Sequence, residues 1–128
     1  MSSTFDIGQP ITGTASGAIP AYARVTGPIA GVFTVAGLTD RADAICLEPE
    51  GMSDGEVGKF KLLSGVDTNY GKVAGAYAAG TKLYGAADGE LSDTQGIGAF
   101  AEGYAVEAST ADGDVIEFRY KPELTAGS

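Results

Sequence analysis

At 128 residues the chain has the length of one domain, and 44% hydrophobic with 20% charged residues is too apolar for general disorder. Eight Lys and Arg against 17 Asp and Glu give a net charge of −9, which sets the chain against phosphate backbones and anionic lipid, so neither a nucleic-acid nor a membrane partner is expected. Cys46 is the only cysteine and histidine is absent, which excludes an intrachain disulfide, a cysteine-based zinc site and the commonest general base.

The first 20 residues, "MSSTFDIGQPITGTASGAIP", are rich in Ser, Thr, Gly and Pro and show no helical period, so they are expected to form an extended N-terminal arm. Two readings of the arm stand side by side. It is a loose terminus, or it orders on a partner by strand addition, with the spaced Phe5, Ile7, Pro10, Ile11 and Ile19 as contact residues. The segment also lacks the basic and long apolar regions of a signal peptide, and no apolar stretch approaches the ~18 residues of a membrane span, so synthesis in a cytoplasm is expected.

From residue 21 the pattern becomes β-rich. "AYARVT" (21–26) and "GVFTV" (31–35) read as strands around a turn in "GPIA", and "AICLEPEG" (44–51) as a short buried strand, with at most a helical turn between them in "LTDRADA" (38–44). In "GEVGKFKLLSG" (55–65) the alternation of Val57, Phe60 and Leu62 slips near Gly58, which predicts a bulge there. Tyr70, Tyr77 and Tyr84 recur every seven residues, but glycines between them argue against a coiled coil. "TKLYG" and "ELS" flank an Asp88-Gly89 pair and predict a hairpin, because glycine supplies the positive φ of such turns. "GIGAFAEGYAVEA" (96–108) alternates along its length except at Glu102, a carboxylate on the face of Phe100, Tyr104 and Val106. "DVIEFRY" (114–120) follows an Asp112-Gly113 turn and gives the cleanest strand, with Ile116, Phe118 and Tyr120 on one face; "ELTAGS" after Pro122 is expected to fray.

The sum is an all-β domain over residues 21–121, a small barrel or compact sandwich of seven to nine short strands, with arm 1–20 and a flexible tail 122–128. Cys46 sits in an apolar run without a basic neighbour and reads as a buried thiol. "DGD" (112–114) lacks the spacing of a calcium loop, and "GIGAFAEG" lacks that of a dinucleotide or phosphate loop. No catalytic, metal or cofactor residues are assigned and no enzymatic activity is expected; the domain is expected to work through its surface.

The run 77–120 resembles the C-terminal half of the small head decoration, or cement, proteins of tailed bacteriophages. Its Gly80 to Tyr84 is similar to that family's G-x-x-(V/L)-Y strand, and Gly89 to Leu91 to its G-x-(L/V/I/F) strand. Ile97 to Ala108 resembles an IG-x-A-x-E-A strand lengthened by a bulge or extra loop, and Gly113 to Arg119 a GD-x-(V/I)-x-(V/F)-R strand. "GVFTVAGLTDRADAICLEPEG" (31–51) resembles the first half. The resemblance implies a virion protein on the outer surface of the expanded head, a homotrimer that clamps neighbouring major capsid subunits. The competing expectations are another virion module, such as a tail or fibre component, and a carbohydrate-binding barrel stacking sugars on Tyr77, Tyr84 and Tyr104.

Overall fold

The computed structural model describes residues 10–128. They form β1 (Ile11–Ser16), β2 (Arg24–Ile29), β3 (Val32–Val35), β4 (Ala44–Cys46), β5 (Val57–Leu62), β6 (Thr68–Lys72), β7 (Lys82–Gly85), β8 (Leu91–Ser92), β9 (Ala101–Ala105) and β10 (Val115–Tyr120). Among the described residues there is no α-helix, so the fold is all-β as expected, with ten strands instead of seven to nine.

Strands β1 to β5 close into a barrel in the order β1-β3-β2-β4-β5, with β1 parallel to β3 and antiparallel to β5. At its centre the rings of Phe33 and Phe60 stack at 3.9 Å between centroids. A Cβ on Gly13 would collide with the Phe33 ring, so past Ile11 the inward positions of β1 hold only Gly13 and Ala15. That is why residues 11–20 differ from the expected arm. The small side chains that make "ITGTAS" look unstructured are what lets the backbone pass beside the aromatic pair, and the chain continues to Ile19, 1% exposed and bridged to Met52.

Strand β2 runs on through Gly27-Pro28, and the turn falls at Ala30-Gly31, where φ of +52° and +79° suit a two-residue hairpin loop. A register shift between Thr26 and Ile29 absorbs the proline. The bulge expected at Gly58 does not form: β5 pairs with β1 in unbroken register, and Gly58 leaves room for the side chains of Glu48 and Met52. Val57 instead points outward and Leu62 lies at the end of β5, both exposed. Strand β4 is buried throughout because it serves two cores. Ala44 and Cys46 face the barrel interior, while Ile45 joins Leu83, Leu91, Ile116 and Phe118 beneath the second sheet.

That second sheet has the order β6-β10-β9-β7-β8, and a single parallel bridge, Val73 to Leu91, brings its two edges together. The expected hairpin joins β7 to β8 through Asp88 and Gly89, at φ +58° and +77°. Strand β10 buries Ile116 and Phe118 and half-buries Tyr120. The tail makes hydrogen bonds to the segment around β9: Glu123 N–H donates to Ala101 O at 3.2 Å, and Gly127 N–H to Ala99 O at 2.8 Å.

Candidate functional site

The long "GIGAFAEGYAVEA" segment contains both a turn and a bulge. Strand β9 begins only at Ala101, after a turn at 97–98 that leaves Ile97 78% exposed. Leu83 pairs with Gly103 but Tyr84 pairs with Ala101, so Glu102 is the extra residue of a bulge. A one-residue slip sends a side chain to the other face of a sheet, and here it turns the carboxylate inward. Gly103 makes room for this, since any side chain there would collide with the Arg119 carbonyl.

Inward, Glu102 meets Arg24 from β2. Both are 1% exposed, with Nη1 2.9 Å from Oε2. All five guanidinium N–H groups have acceptors. Nε donates to Glu90 O at 3.0 Å, Nη1 also to Asp40 O at 3.1 Å, and Nη2 to Gly37 O and Ala86 O at 3.0 and 2.7 Å. Gly85 leaves the guanidinium its space, for a Cβ there would lie 2.9 Å from Nη1. The Ala42 N–H donates to Glu102 Oε2 at 3.0 Å, while Oε1 has no partner. Burial raises the Glu102 carboxyl, against the pull of Arg24 and the Ala42 N–H, and burial lowers Arg24 against the pull of Glu102. A charge pair sealed from solvent and saturated with backbone carbonyls holds parts together; it offers nothing to a substrate. Arg24 thus ties the barrel to the turn after β7 and to β9.

Other chemistry is scarce. Cys46 is buried in the barrel core, and burial raises its thiol. Among the described residues no three His, Cys, Asp or Glu gather as a metal site would need. A cleft of about 540 Å³ opens between Ile19-Pro20 and Gly51-Met52, rimmed by Glu50, Glu56 and Asp88. The three tyrosines of the carbohydrate reading do not assemble: Tyr84 and Tyr104 lie on the outer face of the second sheet, while Tyr77 packs against its core.

The five contact residues chosen from sequence separate as well. Phe5 and Ile7 lie outside the described residues, and Pro10 is exposed. Ile11 packs against the barrel core and Ile19 is inside it, so these two are core residues in this fold. Arg24 gave no warning in sequence, being one charged residue in a polar strand. Glu102 did, as the carboxylate that broke an alternating pattern.

No family model and no curated protein matches the chain. Among solved structures the chain is similar to the N base of the head fiber gp8.5 of bacteriophage phi29. The TM-score is 0.68 at 16% identity, over 88% of this chain and 92% of that one. At such low identity the likeness lies in the fold, shared over nearly the whole of both chains.

Proposed function

We propose that the chain is a structural component of a phage head, made in the host cytoplasm and carried on the outer surface of the virion. There it acts as a decoration protein, a homotrimer that binds the expanded shell and clamps neighbouring major capsid subunits. The observation that carries this reading is the fold shared with a head fiber base over 88% of this chain. The resemblance of residues 77–120 to head decoration proteins points the same way. A domain that binds only the assembled lattice stabilises it by mass action, and many weak contacts on one shell add up. The reading assigns no catalytic group and no cofactor.

A second reading is favoured by the same neighbour, a head fiber base: the chain seats a fibre on the head. The two differ in occupancy. Purified protein is mixed with expanded heads lacking it, sedimented, and the bound copies are counted. Saturation at every repeating lattice position, with heads that withstand higher temperature, supports decoration. Saturation at a small subset of positions favours the fibre base. No cosedimentation at any concentration overturns both.

A further inference from the structure

Three turns meet around the cleft beside Ile19 and Met52. The first is at Glu50-Gly51, where Gly51 N–H donates to Glu48 O at 3.0 Å and φ of +75° brings its backbone so near the Ile19 carbonyl that a Cβ would strike it. The second runs from Ser53 to Glu56, closed by Glu56 N–H on Ser53 O at 3.1 Å and by Ser53 N–H on the Glu56 carboxylate. The third is the β7–β8 turn, fixed to the barrel by Gly89 N–H on Ala36 O at 2.9 Å, and it carries Asp88 at φ +58°. Each turn places one exposed carboxylate on the rim, Glu50, Glu56 and Asp88. Between them the cleft, about 540 Å³, is floored by Ile19, Pro20, Val35 and Met52.

The result is one concave face with an apolar floor and an anionic rim, and the chain itself does not neutralise it. No Lys or Arg lines the cleft, and none of the three ion pairs among the described residues involves Glu50, Glu56 or Asp88. Residues 1–9 hold no Lys or Arg, and a second copy would bring a charge of −9 against −9. A partner of the opposite sign fits better than either. A long cationic side chain has the matching pattern, methylenes for the floor and a charged head for the rim. Carboxylates backed by apolar surface also attract a cation more strongly than the same charges spread over an open, fully hydrated face.

We propose that this cleft is where the domain holds the head shell, and that its occupant is a Lys- or Arg-bearing segment on the outer surface of the major capsid subunit. The inference rests on the head-surface reading above and adds to it the site of contact and the chemistry of the partner. One cationic side chain lies along Ile19, Pro20, Val35 and Met52, and its head reaches the carboxylates of the rim. The charge of −9 draws the chain toward a basic surface before contact. Because backbone hydrogen bonds already hold the three turns, little ordering is needed on binding. The cleft has room for one such side chain and its neighbours, so each contact is weak and gains effect over the many copies of a lattice.

The test measures binding to expanded heads lacking the protein, at low and high salt, by three proteins: the intact chain, Glu50→Gln/Asp88→Asn, and Asp93→Asn/Glu107→Gln, which removes the same charge outside the cleft. All four positions are exposed, and asparagine tolerates the left-handed backbone at 88, so the fold is kept, with equal urea midpoints as the check. Affinity lowered about tenfold in the cleft variant alone, with a shallower loss of binding as salt rises, is the expected result. Equal binding by all three proteins overturns the cleft and leaves the head-surface reading intact. Equal weakening of both variants also overturns it, since overall charge then drives the binding. A cleft variant that binds heads normally but no longer self-associates in sedimentation equilibrium overturns it too, and gives the cleft to a second copy. No binding by the intact chain removes the head-surface reading itself, and the cleft's role with it.

Discussion

The barrel and the second sheet close by different means. The barrel is sealed by continuous ladders on both sides of β1, and its interior is wholly apolar, built around the Phe33-Phe60 stack. The second sheet meets itself at one bridge, Val73 to Leu91, and a buried ion pair fastens it to the barrel. One body closes on its own ladders, and the other is held against it by that ion pair.

The harshest way to break this comparison is Arg24→Ala. It strips Glu102 of its cation and four buried carbonyls of their donors, and removing one partner of a buried pair costs about 3–5 kcal/mol. Urea unfolding measures the loss. Amide exchange should quicken in β7 to β9 before it does in β1 to β5; a loss below about 1 kcal/mol, or equal quickening in both bodies, contradicts the assignment of Arg24 as the fastener.

A smaller effect comes from pH. Burial holds the Glu102 carboxyl above its ordinary value, so in the window from that value upward the folded chain keeps a proton that the unfolded chain has released. Stability therefore falls as pH rises through the window, with Arg24 charged throughout. The difference in unfolding free energy between the native chain and Glu102→Gln should shrink from the acid to the neutral side of it, and a difference that grows would show the ion pair outweighing burial. Asp114 acts at lower pH with the opposite sign. Hydrogen bonds from Thr110 and Ala111 lower its carboxyl, so its contribution is present above the ordinary value and lost as pH falls through the lowered one.

What the chain disclosed in advance was the part written in local chemistry. The Asp88-Gly89 hairpin and the alternating β10 strand needed only turn geometry and a period of two, and both stand where expected. Glu102 was visible as a broken alternation, although the sequence held no sign that its partner was Arg24, 78 positions away. Strand β1 was hidden for a physical reason: its neighbours require small inward residues, and small residues look like a linker. The contacts of residues 122–128 were equally hidden, because they join backbone groups that every sequence has and a Lys82–Glu123 pair 41 positions apart.

The central proposal is that the chain is a decoration protein on the outside of the head shell. An electron cryomicroscopy reconstruction of expanded heads saturated with the protein tests it directly. The account predicts density for the domain on the outer surface at every repeating lattice position. Density at a small subset of positions, inside the shell, or nowhere on the head would contradict it.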